Sequence, residues 1–567
     1  MKQKIFNLAL LATITLSACN NSDEDSTTST DSSTNALVAF DQIESSDDYL
    51  FDTNTTNIIS FSGETITTTG SGATVSSNIV TIEDAGNYIL TGNGSNTQVI
   101  VKAGSKDVVK LGIKNLSLSY SKSSPIFVDK AYKTVIYALD GDNNISDKSS
   151  YTDVAEGQNA CIYSQSHLVL AGSGKLGVTA NYLDGITSKD GLVINGPTIS
   201  VTAKDDGIRG KDYLVVKGGS FNVTAGGNGF NSDEESDQNF GYITFEAGNA
   251  TIVSGGDGIS AFTNITLRNS TLDITSGGGS SKTKSTTLST KGVKASNLLT
   301  IENTNIQASC ADDALHSDNT VNLDGGKYRL SCSDDGIHGG GIVTIKNADI
   351  TISKSVEGIE GKTLTFDNNT ISILSTDDSL NATNGQRTES SDGSNITINS
   401  GTYVLSGENG DPLDSNGSIA VNGGKIIIHG PAKAPEVPID YNGTFKVTGG
   451  SLIASGLNSN MTQAPSTSST INSAKIIYKS SQSANTLVVV TDESGDVVAG
   501  FKPSRAYTAI ILSSDKLVTG KTYNIYSAGI IIGDVASGYY ENITNYSNGT
   551  LKGSFTISSI VSVTTVN

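Results

Sequence analysis

Residues 309–339 read SCADDALHSDNTVNLDGGKYRLSCSDDGIHG, and within this stretch one phrase occurs twice. A cysteine, two aspartates, an aliphatic residue and a histidine return in the same order, so that Asp335 takes the place of Asp313 one period later. The period, about 22 residues with three short strands, is typical of one coil of a parallel β-helix. In that fold, residues one period apart lie directly above one another, at the strand spacing of about 4.8 Å. The repeated phrase therefore predicts vertical columns of like residues.

The same pattern, a usually acidic residue followed by a small and then an apolar residue, recurs along much of the chain. Most steps have the same length to within one position, and the three longer ones contain polar insertions. Segments between the repeats, such as YLVVKGGSFNVTAG, alternate apolar and polar residues around a glycine turn, as short strands do. We predict an all-β fold, a right-handed parallel β-helix with coils of about 22 residues and aliphatic ladders inside. The first residues of the pattern, which we call the anchor residues, are Asp184, Asp206, Asn228, Asp257, Lys291, Asp313, Asp335, Glu357, Asp378 and Asp411.

The period disappears after about residue 460. The remaining segment, residues 461–567, alternates over longer stretches separated by turns, which predicts a C-terminal antiparallel β cap region. A stack of coils needs such a cap because an open terminal coil exposes unpaired strand edges. We assign residues 37–460 to the β-helix and expect its first coils, before about residue 180, to be less regular.

The N-terminus begins with two lysines and a short apolar run, residues 5–16, which is typical of a secretory signal and too short to span a membrane. Leu16-Ser17-Ala18-Cys19 resembles a bacterial lipobox, which predicts a lipoprotein signal peptide at residues 1–18 and lipidation of Cys19. An ordinary signal followed by an incidental cysteine is the alternative. Residues 19–36 are polar and of low complexity, as a tether would be. We expect an exported lipoprotein at the outer membrane or cell surface, in contact with the membrane only through its lipid.

The composition excludes several classes of protein. A formal net charge of −20 argues against a nucleic-acid-binding surface and suits a protein that gathers cations. With 4 cysteines, one of them Cys19, the chain has too few for a disulfide-stapled scaffold of 567 residues. We expect a monomer that binds a partner through its coils.

Acidic residues dominate the anchor column, and stacked like charges repel one another. A hard cation would remove the repulsion, and carboxylate oxygens are the ligands that Ca²⁺ prefers. Capping of local amides explains one aspartate at a turn, but not pairs on adjacent coils. We therefore predict several Ca²⁺ sites. The predicted ligands are Asp205, Asp206, Asp233, Asp257, Asp312, Asp313, Asp334, Asp335, Glu357, Asp377 and Asp378.

Two further columns are predicted from the same period. Cys310 lies below Cys332, where parallel Cβ vectors favour free thiols filling the core, with a disulfide as the alternative. A second column begins three residues after each anchor and contains His316, His338 and Glu360. Two histidines and a carboxylate suit zinc, although a plain polar face is the simpler interpretation.

The run from Asn181 to Ala261 carries D-G-I-x-S-K-D at Asp184, D-D-G-I-R-G-K-D at Asp205, an acidic insertion at Asp233 and G-G-D-G-I at Gly255. These marks resemble the bacterial carbohydrate-binding domain-containing family of β-helix proteins, typified by a cellulose- and pectin-binding surface protein with a calcium-bound, polysaccharide-lyase-like solenoid. The resemblance implies that fold and a calcium-dependent, sugar-binding role. The chain departs from the family pattern at three positions: Asn228, Ala314 and Ser379.

The leading functional hypothesis is a non-catalytic, surface-anchored protein that binds an acidic or β-linked polysaccharide, such as pectin, polygalacturonate or cellulose. The alternatives are a calcium-dependent, pectate-type lyase and an adhesin or structural stalk. A lyase would need a basic residue to take a proton, and Arg209 and Lys211 are the candidates. The chain has no tryptophan to stack on sugars, so the predicted glycan contacts are Arg209, Tyr182, Tyr213 and Tyr242, with Tyr132 and Phe262 as further aromatic candidates.

Overall fold

The computed structural model describes residues 43–152, 157–386 and 390–567, and in these ranges it contains β-strands and the 3₁₀ helix Ser46–Tyr49 but no α-helix. They all fall within one compact unit, Asp41–Asn567. The predicted signal peptide, Cys19 and the tether lie outside the described residues and stay predictions. No helix in the described ranges is long and apolar enough to cross a membrane.

Strands fill the described chain from end to end. The N-terminal strands are β1 (Ile58–Gly63), β2 (Thr65–Thr69), β3 (Ala73–Ser76), β4 (Ile79–Ile82), β5 (Gly86–Gly94), β6 (Gln98–Lys102), β7 (Val108–Ser119), β8 (Ile126–Lys130), β9 (Lys133–Ala138), β10 (Asn144–Ser146), β11 (Ala160–Ser164), β12 (His167–Gly172) and β13 (Lys175–Ala180). The strands of the regular repeat are β14 (Asp184–Ser188), β15 (Leu192–Ala203), β16 (Ile208–Gly210), β17 (Tyr213–Ala225), β18 (Phe230–Ser232), β19 (Tyr242–Phe245), β20 (Gly248–Ser254), β21 (Ile259–Ala261), β22 (Asn264–Arg268), β23 (Ser270–Ser276), β24 (Val293–Ala295), β25 (Leu298–Glu302), β26 (Asn305–Cys310), β27 (Leu315–Ser317), β28 (Thr320–Asp324), β29 (Lys327–Cys332), β30 (Ile337–Lys346), β31 (Asp349–Lys354), β32 (Ile359–Asp367), β33 (Asn369–Ser375), β34 (Leu380–Ala382), β35 (Asn395–Ile398), β36 (Gly401–Gly407), β37 (Leu413–Ser415), β38 (Ser418–Val421), β39 (Lys425–His429), β40 (Asp440–Tyr441), β41 (Phe445–Val447) and β42 (Ser451–Gly456). The C-terminal strands are β43 (Ser473–Gln482), β44 (Val488–Asp492), β45 (Val497–Phe501), β46 (Tyr507–Ser513), β47 (Thr522–Ser527), β48 (Ile530–Ala536), β49 (Tyr539–Ser547), β50 (Thr550–Thr556) and β51 (Val561–Val566).

Strands of the repeat pair in parallel with their equivalents one coil earlier and one coil later. Ile208 in β16 lies opposite Ile186 in β14 and Phe230 in β18, each one period away in the sequence. The longer β17 pairs with β15 in front and with β19 and β20 behind. The all-β class and the parallel pairing of the repeated strands are therefore confirmed, and the right-handed β-helix stays a prediction.

The apolar residue of each anchor pattern points into the core, and these residues form one continuous ladder. Each is 0 % exposed, and strand pairing places each directly over the one before. Burying such a side chain stabilises the fold by about 1.5–3 kcal/mol. The ladder, which we call the anchor ladder, is Ile186, Ile208, Phe230, Ile259, Val293, Leu315, Ile337, Ile359, Leu380 and Leu413.

The small residue of the pattern lies where neighbouring coils approach closely, so a Cβ there is accommodated only if the next coil shifts slightly. A Cβ atom on Gly336 would lie 2.6 Å from the carbonyl oxygen of Gly358 on the next coil. Ala314 stands at the same position one coil earlier, and its N–H still donates to the carbonyl of Asp335 at 3.0 Å, as Gly336 does to Glu357. This departure from the family pattern therefore keeps the hydrogen bond between coils.

The direction of pairing changes at the C-terminal end of the stack. β42 continues the parallel stack from β39 and also pairs antiparallel with β46. β46 pairs antiparallel with β43, and a second sheet has the order β48-β49-β45-β44-β47-β50. The edge of the last coil is thus covered by an antiparallel strand.

Candidate functional site

The anchor side chains connect neighbouring coils through the backbone. Asp206 Oδ1 accepts the N–H of Asn228 at 2.8 Å, and Asp313 Oδ1 accepts the N–H of Asp335 at 3.0 Å. One side-chain oxygen of most anchors is thus used to hold the next coil, which accounts for one acidic residue per coil without a metal. The other anchors that do the same are Asp184, Asn228, Asp257, Asp378 and Asp411.

The second predicted column lies beside the anchors and shares hydrogen bonds with them. Asp206 Oδ2 accepts an N–H of Asn231 at 2.6 Å, and Glu357 Oε2 accepts one of Asn381 at 2.7 Å. The two columns therefore form one polar network rather than separate faces. Strand pairing aligns the second column as Thr187, Arg209, Asn231, Ser260, Lys294, His316, His338, Glu360, Asn381, Asp414 and Asp440.

Asp312, Asp313 and Asp334 form a cluster that two lysines close, and we call it the lysine-closed cluster. Lys291 Nζ lies 2.9 Å from Asp312 Oδ1 and 2.7 Å from Asp313 Oδ2. Lys284 Nζ lies 3.1 Å from Asp312 Oδ1 and also contacts Asp334. The prediction that only a divalent ion lets these carboxylates coexist is therefore corrected, because ammonium groups of the chain neutralise them. Lys291 itself occupies an anchor position, so the sequence already indicated that a cation lies in the anchor column.

Burial opposes ionisation of Asp313, yet its pKa is held well below the usual value. His316 Nδ1 lies 2.8 Å from Asp313 Oδ2, and its hydrogen bond together with the Lys291 ammonium lowers the pKa. His316 Nε2 contacts Asp318 at 2.9 Å, so both ring nitrogens of this histidine already have carboxylate partners. His316 is therefore not positioned as a zinc ligand.

Arg209 and Lys211, the candidate lyase bases, are engaged by the acidic insertion. Arg209 makes a bidentate ion pair with Asp233, at 3.0 and 2.7 Å, and Lys211 contacts Glu234. The hydrogen bond from Lys211 to Glu234 raises the pKa of Lys211. A nitrogen held in its protonated form accepts a proton only after losing one, so these ion pairs disfavour both residues as the base of a lyase, and that assignment stays a prediction. Asp233, a predicted metal ligand, is therefore already paired with Arg209.

The remaining predicted metal ligands differ in their surroundings. Asp257 is buried and accepts hydrogen bonds from the Ser289 hydroxyl and the Lys291 N–H, both at 2.7 Å. Asp205 and Asp377 are exposed. The structure therefore does not bring these three residues into a common cluster.

A purely acidic cluster lies further along the stack, and we call Glu357, Asp378, Asp411, Asp414 and Asp440 the acidic corner. Carboxylate oxygens of Asp411, Asp414 and Asp440 lie within 4.8 Å of one another. Burial, followed by the charges of neighbouring carboxylates, raises the pKa of Asp411 to about 8 and that of Asp414 to about 7. In the described ranges no lysine or arginine forms an ion pair with Asp378, Asp411 or Asp414.

Part of this corner does not follow from the regular period. The period places Asp414 only in the second column, and it does not reach Asp440. Asp440 lies opposite Asp414 in neighbouring coils but follows it after a step that is longer than the regular period. A search that allowed an insertion before β40 would have found it.

Asp335, His338 and Glu360 bring possible ligand atoms within 4.8 Å of one another. The rings of His316 and His338 stack with their centroids 4.8 Å apart. Burial opposes protonation of His338, but the hydrogen bond with Asp335 and the charge of Glu360 raise its pKa to about 9. The structure thus stacks His338 on His316 but brings its possible ligand atom together with those of two carboxylates.

The cysteine column is present as free thiols. Cys310 and Cys332 lie opposite each other in β26 and β29, and both are buried and unpaired by any disulfide. Cys332 Sγ donates to the carbonyl of Asp334 at 3.4 Å. These thiols fill the core next to the anchor turns.

Two of the tyrosines predicted to contact a glycan are inside the protein. Tyr213 and Tyr242 are 2 % and 3 % exposed, and they stack on each other with centroids 5.5 Å apart. Gly191 makes room for this arrangement, since a Cβ there would lie 1.9 Å from the Tyr213 ring. These two predictions are corrected, because a buried ring offers no face to a sugar. Tyr182 remains half-buried and accessible.

The raised carboxyl pKa values predict how stability depends on pH. Since Asp411 and Asp414 titrate near 8 and 7 in the folded protein but near 4 when unfolded, the folded state binds more protons between these values. In EDTA-treated protein we therefore expect the free energy of unfolding to fall as the pH rises from about 4 to about 8. Urea titrations at pH 5, 6, 7 and 8 would measure this fall.

The double variant Asp411→Asn/Asp414→Asn should flatten the pH dependence. His338 contributes a fall of the same sign above pH 6.5, so some slope will remain. If the free energy of unfolding of the wild type is constant or rises between pH 5 and 8, the raised pKa values of Asp411 and Asp414 are wrong.

The fold and this site define an all-β protein of stacked parallel coils with a polar, largely acidic edge. Residues 76–336 match the sequence model of a family described as "Carbohydrate-binding domain-containing protein". The resemblance to that family, first seen in the Asp-Gly-Ile motifs, is thereby confirmed for this segment. The acidic corner lies beyond its end.

Two known proteins share parts of the chain. A carbohydrate-binding domain-containing protein of Acetivibrio thermocellus is 32% identical over 136 residues, which are 23% of this chain and 48% of the relative. The match thus spans about half the length of that relative. A solved structure described as the polysaccharide lyase-like protein from C. thermocellum, a gadolinium derivative, has 28% identity and a TM-score of 0.40, and covers 44% of this chain and 97% of its own.

Proposed function

We propose that this protein is a non-catalytic, calcium-dependent binding protein for acidic polysaccharide, tethered at the cell surface through Cys19. The observation that carries the binding function is the match of residues 76–336 to a carbohydrate-binding family. We further propose that the coils are right-handed, because crossovers between parallel strands in one sheet have this hand in nearly all proteins.

The acidic corner is the part of the chain that best fits Ca²⁺. Ca²⁺ takes carboxylate oxygens at about 2.3–2.6 Å, so two ligands of one ion lie at most about 5 Å apart. The oxygens of Asp411, Asp414 and Asp440 meet that limit. When bound, the ion would supply positive charge that relieves repulsion between these carboxylates and can also bind a carboxylate of a ligand. We do not extend this assignment to the lysine-closed cluster.

Because the net charge of the chain is negative, an acidic polysaccharide is favoured over a neutral one only if a cation binds between the protein and the polysaccharide. A chain of charge −20 repels polyuronates such as polygalacturonate, and Ca²⁺ between the two sets of carboxylates would reverse that repulsion. Cellulose is less suitable, since the chain has no tryptophan and Tyr213 and Tyr242 are buried. Pectin and polygalacturonate are therefore the proposed partners.

We expect EGTA to weaken binding to polygalacturonate by about tenfold or more, a change of about 1.4 kcal/mol or more in binding free energy. The measurement is equilibrium depletion of the purified protein on insoluble polygalacturonate and on cellulose, in Ca²⁺ and in EGTA. Ca²⁺ at about 100 times its dissociation constant should also stabilise the fold by about 2.7 kcal/mol.

The double variant Asp411→Asn/Asp414→Asn should abolish the effect of Ca²⁺ in both assays. Asp273→Asn is the matched control, because Asp273 is exposed on β23, away from the anchor turns, and should leave both effects unchanged. Equal binding in Ca²⁺ and EGTA would disprove the calcium dependence, and no retention on any glycan would disprove the binding function.

A further inference from the structure

A pocket of about 430 Å³ opens on the N-terminal coils, far from the acidic corner. Its size falls in the range of small-molecule sites, which are about 300–1,000 Å³. It lies within the segment that matches the carbohydrate-binding family. The residues that line it are Ser119, Ser146, Asp147, Lys148, Ser149 and Asn181.

The central residue of this pocket is Asp147, which is 4 % exposed. Its carboxylate accepts the Tyr151 hydroxyl at 2.6 Å and the backbone N–H of Asn181. The Asn181 side chain in turn donates to the carbonyl of Asp147 at 2.8 Å. These bonds fix a carboxylate and an amide side by side, and a carboxylate can accept further hydrogen bonds through its remaining lone pairs.

A stacked aromatic pair lies next to the lining residues Asp147 and Asn181, although neither ring lines the pocket itself. The rings of Tyr151 and Tyr182 lie 4.2 Å apart with an interplanar angle of 25°. Tyr151 reaches Asp147 through its hydroxyl, and Tyr182 directly follows Asn181 in the chain. Both rings are half-buried, so each keeps accessible apolar surface beside fixed polar groups. This combination of an apolar ring with a few convergent polar groups is typical of a specific small-ligand site.

Lys148 gives the pocket a positive charge. It is exposed at the rim, next to the buried Asp147. Its ammonium has no ion-pair partner among the residues that the structure describes, as holds for several other exposed lysines of this chain. Its position outside the buried hydrogen bonds leaves it available to an anionic ligand.

We propose that this pocket is a sugar-binding subsite for a hexuronate unit, with the sugar ring against Tyr182, its hydroxyls on Asp147 and Asn181, and its carboxylate towards Lys148. This assignment rests on the proposed polysaccharide-binding function and adds a second place of contact that needs no metal. Nine coil steps separate Asp184, close to the pocket, from Asp411, which corresponds to about 43 Å at the strand spacing. One extended polyuronate chain would thus engage two separate parts of the stack.

The test measures binding of oligogalacturonates to the full chain by isothermal titration calorimetry, in Ca²⁺ and in EGTA. In EGTA the wild type should retain weak binding, and Tyr182→Ala should weaken it by about tenfold, as expected for loss of one ring contact. Lys148→Gln should weaken it several-fold and should leave thermal stability unchanged, because Lys148 is exposed. Tyr546→Ala removes a half-buried tyrosine from the C-terminal strand β49 and is the matched control.

The outcomes separate this subsite from the broader function. If the wild type binds polygalacturonate but both Tyr182→Ala and Lys148→Gln bind equally well, the subsite is wrong and the proposed function stands. If the wild type binds no glycan in Ca²⁺, the proposed function fails and the subsite fails with it. If cello-oligosaccharides bind as well as oligogalacturonates and Lys148→Gln changes neither, the assignment to a uronate is overturned.

Discussion

Replacing Lys291 by methionine is expected to destabilise the protein by about 3–5 kcal/mol at pH 7, the usual cost of leaving buried charges without their partner. The Lys291 side chain is 10 % exposed, and those of Asp312 and Asp313 are 4 % and 3 % exposed. Methionine keeps the volume of the lysine stem but removes the ammonium between the two carboxylates. Urea unfolding of the wild type and the variant would measure the loss.

The matched control is Lys346→Met, because Lys346 is an exposed lysine on the same stack and its replacement should change stability by less than about 0.5 kcal/mol. The pKa of Asp313 lies below its unfolded value, so its stabilisation is present above about pH 4 and is lost as the pH falls further. The difference between wild type and variant should therefore shrink in acid. A Lys291→Met variant as stable as the control at pH 7 would contradict the role given to this ammonium.

The variant Lys291→Asp tests whether the anchor position at residue 291 requires a positive charge. The change restores the residue type of other anchors, such as Asp313 and Asp335, and leaves the cluster without the Lys291 ammonium. We expect Lys291→Asp to be strongly destabilised in EGTA and partly recovered by Ca²⁺, since carboxylate oxygens suit that ion. Ca²⁺ should stabilise Lys291→Met only as much as it stabilises the wild type through the acidic corner.

Phe230→Ala is expected to destabilise the protein by about 3–5 kcal/mol, the range for deleting a fully buried aromatic ring. Phe230 is 0 % exposed in the anchor ladder, and its ring packs edge-to-face against Phe221 and Phe245 with centroids 5.6 and 5.2 Å away. Alanine would leave a cavity between stacked coils, which cannot collapse without shifting the register of their hydrogen bonds. The free energy of unfolding in urea is again the measurement.

Two further variants make the Phe230 result specific. Phe262→Ala removes a ring that is 40 % exposed, and its effect should be far smaller. Phe230→Ile introduces the residue that neighbouring coils use, at Ile208 and Ile259, and should recover part of the lost stability. Equal losses from Phe230→Ala and Phe262→Ala would show that the ladder does not carry the predicted energy.

The repeat was predictable because a coil fold converts linear period into vertical contact. Once the regular step was recognised, Asp313 over Asp335, Cys310 over Cys332 and His316 over His338 followed, and the structure pairs all three as expected. The apolar ladder was predictable for the same reason, since every coil must bury one face against the next. Insertions interrupted the prediction, which is why Asp440 was missed after a lengthened step.

Charge pairing was not predictable from the period, because it depends on where loops return. Lys284 lies in an insertion whose residues fold back across later coils, so that Ser280 meets Ser331 and Lys284 meets Asp334, both far along the chain. The same holds for Arg209 with Asp233 in the acidic insertion. The identity of a residue two coils away does not indicate such partners, so the contact between Lys284 and Asp312 could not be predicted. Binding of Ca²⁺ at Asp312 and Asp313 stays a prediction.

The amino-acid sequence alone was enough to predict the fold class, the vertical columns and the family resemblance. These depend only on a fixed repeat length and on the alternation of apolar and polar side chains. Three-dimensional packing was needed to show which carboxylates share lysines, which remain together as an acidic corner, and which tyrosines are buried. The physical reason is the distance along the sequence between the residues that interact. Strand stacking repeats the same contacts one period apart on every coil, whereas charge neutralisation and solvent access are set by loops that are distant in the sequence.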